Sequence, residues 1–496
     1  MCGLAGIIGR QYDDKITDLK EMSQAISSRG PDSNGLWNSS DGKVALAHRR
    51  LAIQDLSPAG HQPMLSSSGR YVLVFNGELY NFTSIRKELL ESGVVFRGGS
   101  DTEVLLNACE CWGVTNALNK FTGMFAFCLY DMHEMKVYLA RDRVGEKPLY
   151  YFNSSFGLAF SSELKSFNNV SFYEKSTNKS QIEDYLKFGY SRATSTLYQG
   201  VKRLEQGHIL VYEIDSQTTK ASSYWNVSSV YEKGQAQPFK GSEKEAVDQL
   251  EFLLRQSIRD QLISDAPLGC FLSGGIDSSL VAALAIQERG GKLDTFSMGF
   301  DDPKYNEAPH ARDVSNWLQT QHNEIVISEK DCLDIVPRLH EIYDEPFFDP
   351  SAIPTVLLTQ FARKHVTVCL SGDGGDELFW GYTRYSRASH LWKIYKNIPF
   401  GDSFAFNAQK LSSSLSLLKP SITNRFNRAV YLLGSSSLFS LGQRLRHIFT
   451  DFELTKLIDR PLCNQSYSED VLNDFSFVPM DDINDYLTHD ILVKVD

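Results

Sequence analysis

MCGLAGIIGR, residues 1–10, decides how the first half of the chain is read. The run has the apolar character of a short buried strand, yet a cysteine stands directly behind the initiator methionine. Removal of Met1 would make Cys2 the N-terminus and put a thiol nucleophile and an α-amine base on one residue. Such an amine, with an ordinary pKa of about 7.7–8, can accept a proton near neutral pH. An N-terminal cysteine or threonine activated by its own amine is one route to covalent catalysis. Position alone favours the plainer reading, a small apolar residue at a strand start. The neighbouring motifs reverse that preference.

SRGPDSNG at 28–35 is a polar turn carrying an arginine and an aspartate. AHRRLAIQD at 47–55 brings Arg50 to a strand-like segment. FNGELYN at 75–81 offers Asn76, Gly77 and Glu78 at a strand end, and GGSDTEVLL at 98–106 adds Asp101 ahead of a helix. An Asn side chain and a Gly backbone N–H are the parts of an oxyanion hole. An arginine matches a carboxylate bidentately, and two carboxylates can hold an ammonium. Such a set would recognise an amino acid and attack a carbonyl on its side chain.

MCG, RGPD, Arg50-Leu51, NGE-YN and SDTE, spread over residues 2–101, together resemble the class II glutamine amidotransferases, whose domain has the N-terminal nucleophile fold, an αββα sandwich. The resemblance implies that Cys2 attacks the glutamine side-chain amide and releases ammonia, and that water then releases glutamate. Asn76 and Gly77 match the family's oxyanion hole. Arg50 matches the residue that holds the glutamine carboxylate, and Glu78 and Asp101 match those near its α-amine. Leu51, Ala52, Ile53 and Gln54 would line the same pocket through their backbone.

Further along, FLSGGIDSSL at 271–280 reads as strand, glycine turn and helix. Glycines let backbone N–H groups close on phosphate oxygens, and a helix N-terminus favours anions. No GxxxxGK[ST] pattern occurs, so a Walker-type phosphate loop is unsupported. A second glycine-rich turn, LSGDGGDELFWGY at 370–382, is acidic and follows the strand-like VTVCL. Asp373, Asp376 and Glu377 there have the chemistry of a Mg²⁺ site, which takes carboxylates together with phosphate oxygens.

Ser273, Gly274, Gly275, Asp277 and Ser278 look like the pyrophosphate-gripping loop of ATP-dependent adenylating ligases. Both loops, with TFSMGF at 295–300 and DEPFFDPSAIPTVLL at 344–358, resemble the synthetase domain of glutamine-hydrolysing asparagine synthetases. Match by match, Leu272 and Met298 would touch adenine and Ser371 and Gly372 the nucleotide. Asp277 and Asp376 would bind magnesium pyrophosphate, and Asp373 aligns with an acidic residue tied to the aspartyl-adenylate step. The implied reaction activates the aspartate β-carboxylate as an acyl-AMP. Ammonia from the Cys2 site attacks it, giving asparagine, AMP, pyrophosphate and glutamate.

Composition frames these motifs. The 496 residues exceed one ordinary core, so two domains are expected. The first ~210 residues show short apolar runs with intervening helical patterns, an α+β grammar with mostly antiparallel pairing. Residues 214–243 are Ser/Thr/Gly/Lys-rich and read as a linker. From 244 onward strands alternate with helical patterns, as in an α/β parallel-sheet, Rossmann-like nucleotide-binding domain. The expected division is therefore 2–213, linker 214–243, and 244–496.

A net charge of −11 argues against a nucleic-acid surface. No run of about 18 apolar residues suggests a membrane span, and the opening lacks the basic region of a signal peptide. Eight sparse cysteines, most in apolar runs, read as reduced core thiols of a cytoplasmic protein. Glutamine, aspartate and ATP are the expected partners, with Mg²⁺ beside the ATP and a homodimer as the assembly entertained. DYLTHDILVKVD at 485–496 reads as a helix in mid-course, with no C-cap glycine, proline or polar tail. The resemblance implies that an Arg-rich segment and a lysine of the synthetase chemistry would follow, so the synthetase half is read as truncated. Two other readings stand beside the main one: amidation of a different carboxylate, and a degenerate glutamine-binding or interaction protein.

Overall fold

A computed structural model describes the chain except positions 11, 13, 193, 396–406, 408–419 and 459–476. The first half is built on two six-stranded antiparallel sheets. In one, Gly3–Gly9 lies between Val44–Arg50 and Gly157–Ser161. In the other, Tyr71–Leu79 pairs with Gly123–Asp131, which pairs with Lys136–Arg141. Leu4, Ile8, Val44 and Leu46 from the first sheet share a core cluster with Val72, Val74, Ala126 and Cys128 from the second.

The outer faces are covered by helices. Phe82–Glu91, Asp101–Trp112 and Val114–Lys120 pack on the second sheet, and Lys15–Ala25 packs on the first. These four layers are the αββα sandwich. They explain why YVLVFNGEL reads as almost continuously apolar. Successive side chains alternate faces: Val72 and Val74 enter the inner core, while Leu73, Phe75 and Leu79 meet the helices.

The stretch expected as a linker is more structured than its composition suggests. Thr218–Ser223 pairs with His208–Glu213 at the sheet edge, in a register of His208 with Ser223. Val227–Ala236 follows as a helix with no buried residue.

The second half centres on a four-stranded parallel sheet. Leu268–Phe271 lies between Asp294–Phe300 and Val368–Leu370, with Gln321–Ile327 outside Asp294–Phe300. The chain thus leaves the first strand to one side and returns on the other. That reversal opens a crevice at the strands' carboxyl ends, where ligands of open α/β sheets bind. Both glycine-rich loops emerge there.

The halves meet through buried charge. The stretch Asp482–Ile491 is a wide helix with i→i+5 turns. Its Asp485 accepts from Arg192 Nε at 2.9 Å and Tyr190 Oη at 3.1 Å, both from the first half. Burial keeps His489 far below its ordinary pKa, so its neutral Nδ1 accepts from Arg203 at 2.7 Å. Asp496 pairs with Arg29 at 2.6 Å and Lys147 at 3.1 Å.

Candidate active sites

Cys2 precedes the strand Gly3–Gly9, whose Gly3 stands opposite Arg49. This register lays Cys2 against the residues just beyond Arg50. The Leu51 N–H donates to the Cys2 sulfur at 3.4 Å, and Arg29 Nε donates to the Cys2 carbonyl at 2.8 Å. Burial pushes the thiol pKa up, as do the charges of Glu78 and Asp101, while the nearby α-amine and the Leu51 N–H oppose them. Met1 lies in the same pocket, with its sulfur 2.8 Å from Lys147 Nζ. Burial lowers its α-amine to about 5. The Met1 amine is therefore neutral near pH 7, and loss of Met1 would enlarge the pocket.

The opposite wall is the end of Tyr71–Leu79. Asn76 is buried, lines the pocket, and its amide nitrogen has no hydrogen-bond partner. A buried donor left unpaired is costly unless something arrives to accept from it. An oxyanion would. Gly77 has φ +155°, and a Cβ there would lie 2.1 Å from the Met124 carbonyl oxygen, so only glycine fits.

Arg50 reaches the pocket with its guanidinium braced by backbone carbonyls: Ser57 at 3.1 Å, Gln54 at 3.3 Å and Asp55 at 2.5 Å. Glu78 accepts from Gln54 Nε2 at 2.6 Å. Asp101, in the first turn of its helix, accepts from the Leu79 N–H at 2.8 Å. Burial raises both carboxyl groups, Asp101 to about 6; Glu78 is pushed further by the charge of Asp101. Lys147 and the N-terminal amine act on Glu78 only as weaker opposing charges, and the two neighbouring carboxyl groups suit an incoming ammonium.

Cys2, Arg50, Leu51, Ile53, Gln54, Asn76, Gly77, Glu78 and Asp101 therefore line one pocket. Ala52 does not; its N–H instead donates to the Asp32 carboxylate at 2.8 Å. Sequence reasoning missed Gln62, Thr102, Met124 and Lys147, which also line it. Lys147 sits in GEKPLYYF, where nothing but its strand-like surroundings could be read.

In the second half the two loops interlock. Ser273 and Ser278 hydroxyls are 2.9 Å apart, closing the first turn, and Asp277 stands in the first turn of Ile276–Arg289. A Cβ at Gly372 would lie 2.9 Å from the Ser278 nitrogen, and one at Gly375 would lie 2.7 Å from Asp277 Cγ. The glycines are what let the loops touch. Gly274, at φ +81°, supplies the left-handed turn, and Gly275 caps the helix. Burial, and next the charge of Asp376, raise the Asp277 carboxyl.

Leu272 is buried in the sheet core, its N–H donating to Phe296 O at 2.8 Å; Met298 is half-buried on the neighbouring strand. Ser371 Oγ accepts from the Asp373 N–H at 3.4 Å, and Asp373 is exposed on the loop. Glu377 is turned inward and accepts from Tyr382 Oη at 2.6 Å, apart from Asp277 and Asp376, whose charges act on each other. Among the described residues no cluster of three His, Cys, Asp or Glu is placed to hold a metal. Two neighbouring carboxylates do suit Mg²⁺, which completes its shell with water and phosphate oxygens.

A glutamine amidotransferase domain matches residues 1–225 and an asparagine synthase domain matches 249–496. Asparagine synthetase (glutamine-hydrolysing) 1 of Bacillus subtilis is 32% identical over 508 aligned positions, covering 100% of this chain and 77% of the relative. The chain belongs to the glutamine-hydrolysing asparagine synthetase family. A Methanocaldococcus jannaschii relative, provisionally named for the same activity, is 35% identical over 77% of this chain and 76% of its own length. Asparagine synthetase 3 of B. subtilis is 30% identical over 93% of this chain and 76% of the relative. The protein is thus an enzyme, a carbon–nitrogen ligase with glutamine as nitrogen donor, and its two folds are those expected of the family. Among the described residues no helix is long and apolar enough to cross a membrane.

Proposed function

We propose that the protein amidates aspartate to asparagine, using glutamine and ATP, with glutaminase chemistry in residues 2–213 and synthetase chemistry in 244–496. The observation that carries the glutaminase half is the pocket in which the Cys2 sulfur meets the Leu51 N–H opposite the unpaired Asn76 amide.

In this reading Met1 is removed and the freed Cys2 amine takes the thiol proton as sulfur attacks the glutamine δ-carbonyl. The Asn76 amide and the Gly77 N–H receive the developing oxyanion, where preorganised donors cost no reorganisation. The protonated amine returns its proton to the departing ammonia, and water hydrolyses the thioester to glutamate. Arg50 holds the α-carboxylate, and Glu78 with Asp101 holds the α-ammonium.

In the second half ATP occupies the crevice between the two loops, with Leu272 and Met298 at the adenine and Ser273, Gly274, Gly275, Ser278, Ser371 and Gly372 at the phosphates and ribose. Asp277 and Asp376 would hold Mg²⁺, which supplies charge neutralisation of the leaving pyrophosphate. The aspartate β-carboxylate attacks the α-phosphorus, pyrophosphate leaves, and ammonia displaces AMP from the acyl-adenylate. Asp373 belongs to this step. Seven described cysteines, all unpaired, support a reducing, cytoplasmic setting.

The test is one assay of untagged protein with glutamine, aspartate and Mg-ATP, following glutamate, pyrophosphate and asparagine together. All three rising in step is the expected result. Glutamate alone would overturn asparagine synthesis by this chain, leaving an inactive synthetase half or another acceptor, and no glutamate would overturn the glutaminase assignment.

A further inference from the structure

Every group that binds glutamine in the reading above comes from the first half of the chain. The loop that carries Gln54 is nonetheless bonded by a residue of the second half. The segment Leu262–Pro267 joins the helix Glu243–Gln261 to the strand Leu268–Phe271, within the span matched by the asparagine synthase domain. Its Ile263 packs against the hydrophobic core of the glutaminase sandwich. Two residues on, Asp265 bonds the glutamine loop twice. Its N–H donates to the Ile53 carbonyl at 3.0 Å, and its carboxylate Oδ2 accepts from the Asp55 N–H at 2.8 Å.

These bonds straddle Gln54, the loop residue whose amide donates to Glu78 at 2.6 Å. They also fix the peptide groups on which Arg50 leans, since the carbonyls of Gln54 and Asp55 are two of its three acceptors. Asp55 itself is held at φ +52°, a left-handed conformation that costs a non-glycine residue energy unless its surroundings determine it. Its carboxylate is spent elsewhere, on Ser57 and on the Gly99 N–H at 2.7 Å. The Asp55 N–H therefore depends on Asp265.

We infer that Asp265 is a positioning residue of the glutamine site: the synthetase half supplies the clamp that holds Gln54 and the Arg50 anchors in their binding conformation. This inference rests on the glutaminase reading and adds to it a cross-domain determinant of glutamine affinity. Because Asp265 bonds neither Cys2 nor the strand Tyr71–Leu79 that carries Asn76 and Gly77, the clamp governs glutamine binding rather than the chemical step. The Asp265 N–H bond survives any side-chain change, so the carboxylate's share can be isolated by substitution.

The experiment measures glutamate release from glutamine by full-length wild type, Asp265→Ala and Asp265→Asn, with the melting temperature of each. Asp265→Ala is expected to raise KM for glutamine roughly three- to tenfold, the scale of a lost charge-assisted bond at a solvent-exposed site. Its kcat should stay within about twofold of wild type. Asp265→Asn, whose side-chain oxygen still accepts from Asp55, should restore most of the affinity. An unchanged KM in Asp265→Ala overturns the inference. So does a matched fall of kcat and melting temperature in both variants, which would make Asp265 merely structural. Failure of the glutaminase reading looks different, because wild type itself would then release no glutamate.

Discussion

In the proposed function, one atom of Cys2 separates the two activities. Cys2→Ala removes the sulfur but leaves the crevice between the nucleotide loops untouched. Glutamate release should fall to background while synthesis supported by added ammonia persists; equal loss of both would contradict separate sites. The Glu78–Asp101 pair makes a second residue-scale prediction. Burial raises both carboxyl groups, Asp101 to about 6, so the free pocket keeps a proton that solvent-exposed carboxylates would have lost. Raised acids favour folding at low pH and lose that contribution as pH climbs through their folded pKa. A bound ammonium reverses the balance by stabilising both charges. Glutamine binding to Cys2→Ala near pH 6.5 should therefore expel about one proton, visible as buffer-dependent calorimetric heat. Affinity should weaken as pH falls below about 6; heat independent of buffer would exclude the carboxylate pair as the ammonium site. These residues were legible because each sits in a short motif with its own chemistry. Gln62 and Lys147 were not, because their place in the pocket arises only when two sheets stack.

At the level of elements, the nucleotide loops depend on glycines for contact rather than for flexibility. Gly372→Ala puts a methyl group 2.9 Å from the backbone nitrogen of Ser278, which lies in the first turn of a helix and cannot yield as a flexible side chain would. The loops must then part, and Mg-ATP affinity should drop roughly tenfold, equivalent to about 1.4 kcal/mol. Titration calorimetry of the variant checks this directly, with glutamate release as the control expected to remain at wild-type level. Wild-type affinity would place the nucleotide elsewhere. The strands bearing these loops were readable from alternating grammar and from glycines following apolar runs. The edge strand Thr218–Ser223 was not: all six of its residues are exposed, so it carries no apolar alternation. Backbone pairing with His208–Glu213 makes it a strand.

At the scale of the whole molecule, the joint between halves is a buried ionic cluster that sequence patterning hides. Asp481, Asp482, Asp485 and His489 resemble the solvated face of a surface helix until Arg192, Arg203, Arg384 and Arg446, 35 to roughly 300 positions away, are brought against them. Burial alone would raise the Asp485 carboxyl, yet Arg192 and Arg446 hold it below the ordinary 3.8. A depressed acid stabilises the fold above its unfolded pKa and loses that contribution as pH falls through the folded value. The joint should therefore weaken selectively in acid below about pH 4. Asp485→Ala removes the shared acceptor of Arg192, Arg446 and the Tyr190 hydroxyl, leaving charge buried without its partner, a loss of about 3–5 kcal/mol. In a chain of this size the calorimetric transition should drop by several degrees and separate into two as the halves uncouple. Replacing both members, Asp485→Leu with Arg192→Leu, removes the unpaired charge along with the pair. It should recover part of the lost stability, because a matched apolar contact is close to neutral where a broken ion pair is costly. If the double variant were no more stable than Asp485→Ala, unpaired charge would not be the source of the damage, and the joint would owe its strength to packing around Tyr190 instead.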